Sequence, residues 1–268
     1  MRLLFLNGWS ASENILVKLK ASIPETHELL VLDHLYGLEL PEIVEKIDRC
    51  VCPNTILIGW SLGGMLALYY ASARSQRVDV GEALAGVVLL NTPVCFLEKS
   101  NWQYGVPGDE LQQLKDVVNA GNLEALRKRF SHLLVDGSIS HKDDRRFLRQ
   151  AYAVRMFPEE QVLLKGLVYL EGLDLRDQLV SINCHILGLF GSNDALIRPQ
   201  SLGVFTERCQ RFRGVVVEGM GHLPVGMFAQ AVAEHIFNFI NVRLGSDNIM
   251  GEPEVTGKAN SGRYDAHN

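Results

Sequence analysis

The chain has 268 residues, 47% of them hydrophobic, and a formal net charge of −5. That is enough apolar chain to bury a substantial core, and the acidic balance argues against a nucleic-acid-binding surface. No apolar run is long enough to cross a bilayer, and the expectation is a cytoplasmic monomer with neither nucleic acid nor membrane as partner.

Taken in chain order, the opening run 2–6 stops at Asn7-Gly8-Trp9, too soon for a targeting segment. It reads as a first buried strand. Residues 29–32, 55–58, 86–90, 185–190 and 214–217 read the same way, being short, β-branched or leucine-rich, and bounded by turn residues. Helical periodicity fills 41–51, 62–73, 199–209 and 224–242, and Pro41, Pro199 and Pro224 suit a first helical turn. Alternating strands and helices predict an α/β fold, a mainly parallel sheet with helices on both faces. Residues 97–181 break the alternation with four helical patterns, 109–120, 123–134, 142–156 and 159–170. An all-helical block between two parts of a sheet predicts an inserted helical cap. The expected organisation is a core in two parts, 1–96 and 182–244, the cap at 97–181, and a flexible polar tail at 245–268.

The five cysteines, Cys50, Cys52, Cys95, Cys184 and Cys209, are odd in number and lie mostly in apolar stretches, which predicts reduced, buried thiols. Cys50-Val51-Cys52 lacks a second ligand pair nearby, so no metal is expected.

The sharpest local signal is Gly59-Trp60-Ser61-Leu62-Gly63, with a strand before it and a helix after it. A tight strand-to-helix turn exposes the Ser61 hydroxyl at a helix N-terminus, where the dipole favours developing negative charge. An alcohol needs a base to become a nucleophile. His222, in Gly221-His222-Leu223-Pro224, follows the last strand and would share the rim of the sheet with Ser61. His34, also after a strand, is its rival. Asp194, in Gly191-Ser192-Asn193-Asp194, follows a strand and lies between Ser61 and His222 in the chain, ahead of Asp33, Asp174 and Asp177 as the acid that orients the imidazole. The amides of Leu62 and Trp9 are the expected oxyanion donors. The indoles of Trp9, Trp60 and Trp102 suit a pocket lining or plain core.

Several segments together resemble one family. They are the run Leu57-Ile58-Gly59-Trp60-Ser61-Leu62-Gly63-Gly64, Gly8-Trp9, Thr92-Pro93-Val94-Cys95-Phe96, Asp174-Leu175-Arg176, Gly191-Ser192-Asn193-Asp194 with Leu196-Ile197, and Gly221-His222-Leu223-Pro224. Over about residues 3–240 the chain is similar to the BioH-like pimeloyl-acyl-carrier-protein methyl ester carboxylesterases, members of the α/β-hydrolase superfamily. The resemblance implies the α/β-hydrolase fold and a catalytic triad of Ser61, Asp194 and His222. It implies substrate contacts from Trp9, Leu62 and His222 and from the cap stretch beginning at Phe130, which includes Leu134. It also implies a serine carboxylesterase of biotin synthesis that needs no cofactor and acts on an acyl group borne by acyl-carrier protein. A short-chain carboxylesterase or thioesterase, and a non-catalytic hydrolase-fold binding protein, are the alternatives, because specificity resides in cap and pocket. The chain departs from the family in having Asn7 where the family usually has histidine, and in beginning almost directly on the first of these strands.

One charge pattern bears on the partner. Arg127, Lys128, Arg129, Lys142, Arg145, Arg146, Arg149 and Arg155 face only Asp136, Asp143 and Asp144 within one stretch of a negatively charged chain. Such a field would steer an acidic carrier protein, with Arg129, Arg145, Arg146 and Arg149 as the expected docking residues.

Overall fold

The computed structural model describes residues 1–76, 84–153 and 158–245. Among these, six parallel strands form one sheet in the order β2-β1-β3-β4-β5-β6. They are β1 (Arg2–Leu6), β2 (Glu28–Leu32), β3 (Thr55–Trp60), β4 (Gly86–Leu90), β5 (Ile186–Gly191) and β6 (Phe212–Val217). The central strands β3, β4 and β5 are buried at every residue, whereas the edge strands β2 and β6 are largely half-buried. This is why the former read as unbroken apolar runs: a parallel strand covered on both faces has no polar side.

The helices are α1 (Val17–Ala21), α2 (Leu40–Asp48), α3 (Leu62–Ser75), α4 (Gly108–Asn119), α5 (Leu123–Val135), α6 (His141–Ala153), α7 (Glu160–Gly172), α8 (Leu202–Arg208) and α9 (Ala229–Gly245). Register decides which face each covers. Gly59, Leu89, Gly188 and Gly214 are lateral neighbours and so point to one face. There α3 lies against Gly59 and α8 against Gly214. Gly86, of opposite parity on β4, meets Phe239 of α9 on the other face. Helices α4 to α7 fall between β4 and β5, as the break in alternation predicts.

Three local expectations change. Pro224 does not open a helix, because residues after His222 form a turn and α9 begins only at Ala229. A short helical stretch, Glu13–Leu16 followed by α1, joins β1 to β2, where no element is predicted from the sequence. Cys95 and Cys209 are buried, but Cys50, Cys52 and Cys184 are half-buried. The end of the helix expected at 142–156, Arg155, and nearly all of the tail expected at 245–268 lie outside the described residues.

An ionic knot joins the segment after β4 to the segment after α7. Asp174 accepts from Arg176 Nη2 at 2.7 Å and from Lys99 Nζ at 2.9 Å, while the Arg176 guanidinium lies over the Trp102 ring. The Arg176 hydrogen bond, followed by that of Lys99, holds the Asp174 carboxyl well below the usual carboxylate range. The knot therefore stabilises the fold at neutral pH, and its contribution fades as pH falls below about 4, where the unfolded chain takes up the proton. Asp174→Asn should cost about 1 to 3 kcal/mol of stability at pH 7. Its melting temperature should lie several degrees below wild type there, and the gap should narrow progressively below about pH 4. A gap that did not change with pH would assign the loss to packing.

Candidate active site

Because all strands run the same way, the loops that follow them emerge at one edge of the sheet. Ser61 directly follows β3, while Asp194 and His222 lie in the loops after β5 and β6. Ser61 has φ 53° and ψ −120°, a strained conformation for a residue with a side chain, costing about 1 to 3 kcal/mol. The turn is held from both sides. The Ser61 amide donates to the Leu90 carbonyl at 3.0 Å, and its carbonyl accepts from Gly64 at 2.9 Å and Met65 at 3.1 Å. Glycine is required beside it, since a Cβ on Gly63 would lie 2.1 Å from the Leu6 carbonyl oxygen and one on Gly64 1.9 Å from Thr92 Oγ1.

His222 Nε2 lies 3.0 Å from Ser61 Oγ, and His222 Nδ1 lies 2.8 Å from Asp194 Oδ2. All three residues are buried. The other oxygen of Asp194, Oδ1, accepts from the amides of Leu196 at 2.8 Å and Ile197 at 2.9 Å. With the carboxylate so engaged, the imidazole carries its proton on Nδ1 and leaves Nε2 to accept from the serine. The geometry suits abstraction of the Ser61 proton and attack on an acyl carbon. Leu62 opens α3, so its amide is one of the donors that a helix cannot satisfy internally.

The rival residues are engaged elsewhere. Asp33 accepts from Asn7 Nδ2 at 2.5 Å and from the Glu13 amide at 3.0 Å. Asp174 belongs to the ionic knot, and Asp177 pairs with Arg208 at 2.8 Å. The His34 ring contacts the Tyr36 hydroxyl at 3.0 Å. Asn7, the departure from the family pattern, is thus tied to the end of β2 through Asp33.

Trp9 reaches the helices between β4 and β5. Its indole N–H donates to the Leu163 carbonyl of α7 at 2.9 Å, and its ring meets Phe130 of α5 edge-on at 5.0 Å. Leu134 lies one turn further along α5 and is fully buried. The structure therefore brings Trp9 and Phe130 into contact, with the indole held by its bond to Leu163, and lays the preceding Gly8 against Trp60.

Two site residues escape the sequence reading in their roles. The Asn91 side-chain Nδ2 donates to the Gly221 carbonyl at 2.9 Å and its Oδ1 accepts from the Gly191 amide at 2.8 Å. It thereby ties the loop that carries His222 to the loop that carries Asp194. The signal available was a polar residue directly after the buried strand β4, at the edge of the sheet that carries Ser61. Trp60 donates its indole N–H to the His222 carbonyl at 2.9 Å, a contact between distant segments that no local pattern announces.

Residues 3–235 match the alpha/beta hydrolase family. The chain is 29% identical over 201 residues to the pimeloyl-acyl-carrier-protein methyl ester esterase of Aeromonas hydrophila, covering 75% of this chain and 76% of that protein. It is 26% identical to the protein of the same name from Xylella fastidiosa, over 89% of this chain and 94% of the relative. Among solved structures, an esterase from Exiguobacterium antarcticum superposes with a TM-score of 0.74 at 20% identity, covering 90% of this chain and 91% of the other.

Proposed function

Since the chain belongs to the alpha/beta hydrolase family and is a carboxylic ester hydrolase, we propose that it hydrolyses the methyl ester of a pimeloyl group carried by acyl-carrier protein, freeing the pimeloyl carboxylate for biotin synthesis. The observation that carries the chemistry is the hydrogen-bonded line Ser61–His222–Asp194, with separations of 3.0 and 2.8 Å. The substrate is supported by the relatives of that name and by the basic face described below.

Ser61 Oγ attacks the ester carbonyl as His222 Nε2 takes its proton. The amides of Trp9 and Leu62 hold the oxyanion. The imidazolium then protonates the departing methanol. Water that gives a proton to His222 next attacks the acyl-enzyme and releases the free acid. Trp9, Phe130 and His222, with the amide of Leu62, are the proposed acyl contacts, while Leu134 is fully buried in α5, and residues 97–181 act as the cap over the site. The chemistry is completed by side chains and backbone amides, without a cofactor. No helix among the described residues is long and apolar enough to cross a membrane, and the proposed setting is the cytoplasm, with the enzyme acting as a monomer.

The carrier is proposed to dock on α6, where Arg145, Arg146 and Arg149 are exposed. Arg129 of α5 is half-buried and bonded to Gln113. Arg146 also approaches Asp143 at 3.5 Å, an exposed pair of little energetic consequence. Asp144, which offsets the basic charge in the sequence, is buried. Exposed charge pairs contribute about 0.2 to 1 kcal/mol each. The combined variant Arg129→Glu, Arg145→Glu, Arg146→Glu and Arg149→Glu should therefore lose about tenfold to a hundredfold on carrier-bound substrate. Its hydrolysis of a small free ester should hold. Added salt should mimic the variant. Conversion of methyl-pimeloyl acyl-carrier protein to the free acid, followed by mass spectrometry, tests both points. Turnover of small esters or thioesters with none of the carrier-bound methyl ester would favour a general esterase or thioesterase. Absence of any covalent reaction at Ser61 would favour a binding protein.

A further inference from the structure

The turn between α5 and α6 touches the acid loop and the base loop at once. Asn193, the residue before Asp194, donates its side-chain N–H to the Gly137 carbonyl at 2.8 Å. The Ile139 amide donates to the Gly219 carbonyl at 3.1 Å. Between them Ser138 packs so closely on Gly221, the residue before His222, that a Cβ there would lie 2.9 Å from the Ser138 Cβ. On the far side of His222, the Met227 amide donates to Asp144 Oδ1 at 2.9 Å. The base loop is therefore gripped on both sides of His222, and the acid loop beside Asp194.

Asp144 is the unusual member of this set. It sits in the first turn of α6 and is 1% exposed, although Asp143, Arg145 and Arg146 around it face solvent. Burying a carboxylate is costly unless hydrogen bonds compensate. Besides the Met227 amide, Asp144 Oδ2 accepts from the hydroxyls of Ser140 at 2.6 Å and Ser138 at 3.2 Å. One carboxylate thus joins α6, the turn before it and the segment after His222. Loops without regular structure keep a catalytic geometry only when neighbours lock them.

We infer that residues 136–144 form a brace for the acid and base loops, with Asp144 as a positioning residue for His222. The inference rests on the reading of His222 as the base. A misplacement of about 1 Å in a catalytic group costs up to about a hundredfold in rate. Asp144→Ala should therefore lower kcat on a small ester by about tenfold to a hundredfold while KM changes less than about twofold. Asp144→Asn keeps an oxygen for the Met227 amide and should recover most of the rate.

A second readout separates positioning from bulk stability. The proton shared by His222 Nδ1 and Asp194 should give a far-downfield proton resonance in wild type and in Asp144→Asn, and a broadened or absent one in Asp144→Ala. If Asp144→Ala does not fold, the double variant Ser138→Ala with Ser140→Ala removes two of the three donors to the same carboxylate. It should then show the same split, a several-fold loss of kcat at unchanged KM. A lowered melting temperature with wild-type kcat and resonance, in Asp144→Ala or in the double variant that replaces it, overturns the brace. Wild-type turnover in His222→Ala overturns instead the base assignment on which it rests.

Discussion

Ser61→Ala should reduce ester hydrolysis by on the order of a million-fold and abolish labelling by a fluorophosphonate. The serine oxygen stands 3.0 Å from His222 Nε2, placed to lose its proton and attack. Its removal takes away the nucleophile and leaves only what binding and the oxyanion donors provide, about a thousandfold to ten-thousandfold over water. The fold should survive. The Ser61 side chain makes no capping bond to α3, and the bonds that hold its strained backbone are made by main-chain atoms that alanine retains. Melting temperature and circular dichroism should match wild type. Near-normal turnover in a folded variant would end the assignment of Ser61.

Asp194→Asn should cost about ten-thousandfold in kcat, for a reason visible in the hydrogen bonds. The amides of Leu196 and Ile197 both donate to Asp194 Oδ1. An asparagine there must keep its carbonyl oxygen toward those two donors, which turns its NH2 group toward His222 Nδ1. That nitrogen then has to accept, the imidazole proton moves to Nε2, and the ring faces Ser61 as a donor where an acceptor is needed. Fluorophosphonate labelling should slow in parallel, with little change in melting temperature. Asp174→Asn is the control, since its carboxylate serves the ionic knot with Arg176 and Lys99. A silent Asp194→Asn beside a crippling Asp33→Asn or Asp174→Asn would reverse the choice of acid.

Legibility followed the range of the interaction. Buried strands such as β3 and β4 are continuous apolar runs because both faces are covered, and a run of that kind is readable without partners. The turn after β3 is readable for a similar reason: its strain and close approaches require glycine within two or three residues of Ser61, and they leave a local pattern. The segment after His222 misleads, because Pro224 suits a first helical turn. The chain instead turns there to present the Met227 amide to Asp144.

Sequence alone determined the alternating α/β plan, the helical interruption between β4 and β5, and the glycine-flanked turn that carries Ser61, since each is written in spacing over a few residues. It also ranked Asp194 and His222, through their places after strands. Tertiary structure alone decided that these two meet Ser61, because they lie 28 residues apart and His222 lies 161 residues from the serine. What joins them is strand order, which places β3, β4, β5 and β6 side by side so that their loops share one rim. The same holds for Asn91 between the two loops and for Asp144 beneath them. Asn91 bonds to residues 100 and 130 positions away, and Asp144 to one 83 positions away. A hydrogen bond across such a separation imposes no periodicity on the chain, so only the folded arrangement reveals it.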